Sequence, residues 1–225
     1  MNNLATYKNN QKADLLNFTS DERTKIPNFV MPEPVVKLKK IISATGQEFQ
    51  ITFPDQKMNQ ETLAETIEFF KESLRLTYPQ LSALEIEEIA SLSITEHSFH
   101  PKNDTKFIIL RQNSSQIFGL ASFKLINSCL YINQIYLDKN LKGQGLGSKI
   151  LQQILNNNPK AEIIELNVSE NNKEAIAFYK MLGFVSSSEN VGSLNPKSEN
   201  QIKLISMKVD RLTLFSKITS KLSKK

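Results

Sequence analysis

Apolar residues recur in two different periods along this chain. Leu63, Ile67, Phe70 and Leu74 follow one another at three- and four-residue steps. That spacing predicts a helix over Glu61–Leu76, with Asn59 ahead of it and Pro79 stopping it. A second, acidic helix is predicted over Leu84–Leu92. From residue 106 the pattern changes to short apolar runs. Lys106–Arg111 and Ile117–Leu125 read as strands about the polar turn Gln112–Gln116, a hairpin. Leu130–Leu137 reads as a strand, Lys149–Leu155 as a helix and Glu162–Val168 as a buried strand. Lys173–Leu182 reads as a helix ended by Gly183, and Gln201–Val209 as a last strand. Upstream, Phe49, Ile51 and Phe53 share one face of a first strand, Gln47–Phe53. This order predicts a mixed α/β domain with one main, mostly antiparallel sheet and flanking helices.

Composition narrows the class. Of 225 residues, 40% are hydrophobic and 23% charged, enough to bury a core and too apolar for disorder throughout. One cysteine, Cys129, forms no internal disulfide, and two histidines leave few soft metal ligands, so no metal is expected. No apolar run approaches the roughly 20 residues of a spanning helix. A soluble, cytoplasmic protein is expected.

Two motifs carry chemistry. In Lys142-Gly-Gln-Gly-Leu-Gly-Ser148, a strand ends and a glycine-rich turn opens a helix. Gly143, Gly145 and Gly147 permit unusual dihedrals, and the N–H groups around Gln144, Leu146 and Ser148 can converge at a helix N-terminus. That geometry binds phosphate or pyrophosphate, and Lys142 and Lys149 add charge. The spacing fits neither a P-loop nor a Rossmann fingerprint. About 25 residues later comes Asn172-Lys-Glu-Ala175-Ile-Ala-Phe178-Tyr179-Lys-Met-Leu-Gly183-Phe184, a polar turn and a short helix ending in Gly-Phe.

Together, in this order, the motifs resemble those of the GNAT superfamily of acyl-CoA-dependent N-acetyltransferases. The loop signature corresponds to Lys142, Gly145 and Gly147, with Lys where Gln or Arg is usual. The second corresponds to Asn172, Ala175, Tyr179, Gly183 and Phe184. The resemblance covers roughly 48–210 and implies a layout. Residues 1–47 form a polar, proline-broken extension, 48–210 the acetyltransferase domain and 211–225 a basic tail.

The resemblance also implies a mechanism. Acetyl-CoA is the co-substrate and lies between the family's fourth and fifth strands, here Tyr131–Leu137 and Glu162–Val168. Ile135, Tyr136 and Leu137 would offer backbone groups to the pantetheine. The pyrophosphate would sit on the Gly143–Ser148 amides, and Asn172 would help hold the pantetheine. An amine attacks the thioester directly, an N–H near Leu137 stabilises the oxyanion, and Tyr179 is the general acid. Many members place a Glu base on the fourth strand. Leu130–Leu137 has no carboxylate, so the base is unassigned, with Glu165 or a carboxylate of 61–96 as candidates. Cys129 has no histidine near it in sequence to make it a nucleophile.

Charge separates the ends of the chain. The net is +5, yet residues 58–100 hold eight acidic and two basic residues, and 197–225 hold two and eight. The first two helices wall the acceptor site in this superfamily. Glu61, Glu65, Glu68, Glu72, Glu85, Glu87, Glu88 and Glu96 therefore suggest a polyamine or another cationic small amine as acceptor. A protein lysine or N-terminus, or a non-catalytic acyl-CoA-binding module, are the alternatives. Arg211–Lys225 reads as a basic amphipathic helix docked on its own domain, with a membrane surface less favoured. His97 and His100 are expected in a loop. No nucleic-acid stripe is evident, and a homodimer is open.

Overall fold

The computed structural model describes residues 39–53, 59–99, 105–112, 116–192 and 202–223. Its strands are β1 (Lys39–Ile42), β2 (Glu48–Thr52), β3 (Lys106–Gln112), β4 (Gln116–Ile126), β5 (Cys129–Leu137), β6 (Ile163–Ser169), β7 (Val185–Gly192) and β8 (Ile202–Asp210). Its helices are α1 (Gln60–Thr77), α2 (Ala83–Phe99), α3 (Leu146–Asn157), α4 (Lys173–Met181) and α5 (Arg211–Leu222). One sheet runs in the order β1-β2-β3-β4-β5-β6-β8-β7. Every neighbouring pair is antiparallel except β5 with β6.

Alternation along the strands divides the interior in two. On β3, Ile108 and Leu110 join a core with α3, α4 and α5, while Phe107 and Ile109 join a second core with α1 and α2. Successive strand residues face opposite sides, so the helices form a layer on each face. This is why Phe107–Leu110 reads as an unbroken apolar run.

Local chemistry sets the helix ends. Asn59 accepts the Thr62 N–H and caps α1. Ser82 and Glu85 cap α2 reciprocally: Glu85 accepts the Ser82 N–H at 2.9 Å, and Ser82 Oγ accepts the Glu85 N–H at 3.3 Å. Helix α2 runs past the expected Leu92 to Phe99. Its Ser- and Thr-containing end has weak intrinsic propensity, but Ile94 is wholly buried, worth about 1.5–3 kcal/mol. His97 therefore lies in a helix and not in a loop. His100 and residues 1–38 of the expected extension lie outside the described residues.

Two strands were not anticipated. Strand β1 lies inside the expected extension and pairs with β2. Strand β7 is a polar edge strand, Val-Ser-Ser-Ser-Glu-Asn-Val-Gly, paired only with β8. The expected basic tail is α5. Leu214 and Ile218 are fully buried, and the Arg211 guanidinium donates to the carbonyls of Leu155 and Asn158 at the end of α3. The Leu155 carbonyl also accepts the Asn158 N–H, and the guanidinium adds a cation at the negative end of the helix, where it is well placed.

Candidate active site

Strands β5 and β6 pair only between Cys129–Ile132 and Ile163–Leu166. Beyond that, β5 continues beside β4 to Leu137, and β6 continues beside β8 to Ser169. The two strands thus part into a V. A bulge contributes to the parting. Ser122 faces Gln134 while Phe123 faces Ile132, leaving Asn133 as an extra residue, and bulges bend the strand that carries them.

A cavity of about 260 Å³ occupies the opening. Asn133, Gln134 and Tyr136 reach it from β5, Asn167 from β6, Tyr179 from α4, and Tyr78 from the end of α1. Ile135 and Leu137 pack toward the α3 side of the sheet. Tyr136 packs the other way, its ring 5.3 Å from Phe70. Asn172 lines the cavity and also caps α4, its Oδ1 accepting the Ala175 N–H at 3.1 Å.

Tyr179 is held by aromatic contacts, with the Phe178 and Phe184 rings each 5.3 Å away. Burial, with a smaller contribution from Tyr78, pushes its phenol up to about 12. Burial also pushes Tyr136 well above its ordinary value, with Tyr78 and Tyr179 adding to the shift. These phenols therefore stay protonated through the neutral range.

The glycine-rich loop follows β5. A short 3₁₀ turn, Lys139–Leu141, is capped by Asp138, which accepts the Asn140 N–H at 2.8 Å. Gly143 and Gly145 are left-handed, with φ of 76° and 81°. Gly145 is the N-cap of α3 and has no side chain to accept the first helical N–H groups. In the same first turn, Ser148 Oγ is completely buried and has no hydrogen-bond partner. A buried hydroxyl left alone costs about 1–3 kcal/mol. Open amides, an orphaned hydroxyl and the positive end of a helix together fit an oxygen-rich anion such as a pyrophosphate. Lys142 extends from the loop to Glu174 on α4, 2.7 Å away, and this contact holds the Glu174 carboxyl below its usual range.

Other candidates lie elsewhere. Burial pushes the Cys129 thiol up and the charge of Glu165 adds to the rise, so it is no ready thiolate. The acidic helices spend several carboxylates on ion pairs. Glu65 meets Arg111, Glu68 and Glu87 meet Lys71, and Glu72 meets Arg75. None of these four is among the residues lining the cavity. The described residues contain no cluster of metal-ligating side chains.

The family profile described as the acetyltransferase (GNAT) family matches residues 65–184, just over half of the chain. The chain belongs to the GNAT family. It is an acetyl-CoA-dependent N-acetyltransferase. Solved structures agree on the fold. The PaiA N-acetyltransferase of Thermoplasma acidophilum, in complex with coenzyme A, is 19% identical with a TM-score of 0.53. The match covers 71% of this chain and 98% of that one. Spermidine N-acetyltransferase of Vibrio cholerae, in complex with CoA and spermine, is 17% identical with a TM-score of 0.51, covering 73% and 98%. No curated protein matches significantly. The strands expected at Tyr131–Leu137 and Glu162–Val168 are β5 and β6. Among the described residues, no helix is long and apolar enough to cross a membrane.

The structure brings Tyr179, Asn172 and Tyr136 to one cavity and ties the loop to α4 through Lys142. Tyr78 and Asn167 were not singled out in the sequence. Tyr78 precedes the helix-stopping Pro79 and Asn167 sits within an apolar strand, and neither setting marks a functional side chain.

Proposed function

We propose that this protein transfers the acetyl group of acetyl-CoA to a primary amine by direct attack, with Tyr179 as the general acid. The observation that carries this reading is the V between β5 and β6, with a buried tyrosine beside it and the Gly145-capped N-terminus of α3, with its unpartnered Ser148 hydroxyl, next to it.

The free edge of Asn133–Leu137 offers Ile135, Tyr136 and Leu137 for strand-like pairing with the pantetheine. The amides of Gly145–Ser148 and the Ser148 hydroxyl hold the pyrophosphate, with Lys142 adding charge. The neutral amine nitrogen attacks the thioester carbonyl carbon, and the carbonyl oxygen takes up negative charge near the Leu137 N–H. The C–S bond then breaks, its electron pair goes to sulfur, and Tyr179 supplies the proton that makes the thiol. The phenol regains its proton from water, and the ammonium proton leaves the acceptor to water.

A phenol near 12 is a weak acid for an ordinary thiolate. Desolvation raises the thiol as well, however, so the gap that the proton crosses is smaller than the solution values suggest. On the acceptor side the wall carries the carboxamides of Asn133, Gln134 and Asn167. Ser206 donates to Asn167 Oδ1 at 2.6 Å, leaving the Asn167 NH2 to donate elsewhere. A small or peptidic amine suits this wall. The paired carboxylates of α1 and α2 give a polyamine no special support.

Initial rates with spermidine, a lysine peptide and a peptide with a free N-terminus test the reading. Direct attack predicts intersecting double-reciprocal lines for whichever amine turns over. Parallel lines would mean an acyl-enzyme, and CoA binding without turnover of any amine would mean a binding module.

A further inference from the structure

The glycine loop has a conformational problem that its own sequence does not solve. Gln144 stands between two left-handed glycines, Gly143 and Gly145. Glycine loses more backbone freedom on ordering than any other residue, so such a loop on its own would sample many arrangements. An anion site built from amides binds well only if those amides are already aimed.

The aim comes from a distant part of the chain. Gln144 is pinned on three sides. Its carbonyl oxygen accepts the Ala44 N–H at 3.0 Å. Its Oε1 accepts the Thr45 hydroxyl at 3.0 Å, and its Nε2 donates to the Asn140 carbonyl at 3.0 Å. Both ends of the carboxamide are thus committed, and its orientation follows from a donor on one side and a carbonyl on the other. On the first turn of α3, the Lys149 ammonium donates to the Ile42 carbonyl.

The turn doing the pinning is itself stiff. Ser43 N–H donates to the Gln47 carbonyl at 2.8 Å, and Gly46 N–H donates to the Ser43 carbonyl at 3.1 Å. Ser43 Oγ accepts the N–H groups of Gln47 and Thr45, at 3.1 and 3.3 Å. It also lies 2.8 Å from Thr45 Oγ1, whose own proton is given to Gln144. A directional chain of hydroxyls therefore runs from Ser43 through Thr45 to Gln144. The turn joins β1 to β2 and is anchored in the sheet by their pairing.

We propose that the Ser43–Gly46 turn is a brace for the pyrophosphate loop, with Thr45 and Gln144 as positioning residues for acetyl-CoA. This rests on the function proposed above. It gives Gln144 a role different from the direct cofactor contact expected in the sequence. The Gln144 side chain is spent on the brace, and it acts by fixing where the following N–H groups point. It also gives β1 a purpose, because the strand carries the brace to the loop.

The test is binding of CoA and of pantetheine, which lacks the pyrophosphate, to the full-length protein and its Thr45→Val and Thr45→Ser variants. Thermal unfolding is followed alongside. Losing one hydrogen bond that aims the loop should weaken CoA about fivefold. Thr45→Val is expected to do so while leaving pantetheine and the melting temperature unchanged, and Thr45→Ser should bind CoA as the wild type does. Adding Gln144→Leu to Thr45→Val should cost less than the two separate losses combined, because both act on one contact. Equal weakening of CoA and pantetheine, or unchanged CoA binding by Thr45→Val, overturns the brace. A wild type that binds CoA no better than pantetheine overturns the assignment of the loop, and the brace with it.

Discussion

Tyr179→Phe is expected to lower kcat by about 10²- to 10⁴-fold, the usual size of a general-acid contribution. The substitution keeps the ring between Phe178 and Phe184 and removes only the hydroxyl. CoA affinity should therefore stay within about twofold and the melting temperature within a few degrees. The pH dependence adds a second check. A group raised to about 12 holds its proton below the ordinary tyrosine value of about 10 and loses it only as pH passes its folded value. Tyr179 therefore cannot be the source of any fall in wild-type rate between about pH 7 and about pH 10. Kinetics with an accepted amine from pH 6 to 10 check both points. A variant that keeps near-wild-type kcat would remove Tyr179 from the chemistry.

Gly183→Ala is expected to cost about 2–5 kcal/mol of stability. Helix α4 ends in a left-handed C-terminal motif. The Phe184 N–H donates to the Tyr179 carbonyl and the Gly183 N–H to the Lys180 carbonyl, both at 3.0 Å. Gly183 has φ of 92°, and a Cβ there would lie 2.8 Å from Thr213 Cγ2 on α5. Left-handed strain of about 1–2 kcal/mol adds to an overpacking cost of about 1–3 kcal/mol. In a domain of this size, calorimetry should find the melting temperature lowered by roughly 4–20 °C. Activity should fall too, because the motif that fixes this turn closes on the Tyr179 carbonyl. An unchanged melting temperature would show that α5 can move aside at no cost.

The sequence was most legible where burial imposes a period. Leu63, Ile67, Phe70 and Leu74 mark α1 because one face of that helix meets the sheet. The apolar run on β3 marks a strand covered on both sides. Strand β7 was not legible, because Ser186–Asn190 between its two valines carries no repeating apolar position. The end of α2 was missed because packing of Ile94, not local propensity, keeps it helical. The chemistry divides in the same way. Gly143, Gly145 and Tyr179 belong to compact motifs that can be read locally. The role of Gln144 cannot be read so, since its partners Ala44 and Thr45 lie about a hundred residues away in sequence. Charge was the weakest guide. The acidic segment is real, yet Lys71, Arg75 and Arg111 engage four of its carboxylates away from the cavity.

The central claim is a position for acetyl-CoA, and a crystal structure of the CoA complex tests it most directly. The pantetheine is predicted to run in the opening between β5 and β6, beside Asn133–Leu137. The pyrophosphate should rest on the first turn of α3 within hydrogen-bond reach of Ser148 Oγ, and the sulfur should lie within about 3.5 Å of the Tyr179 hydroxyl. CoA bound outside the β5–β6 opening, or with its sulfur far from Tyr179, would contradict the account.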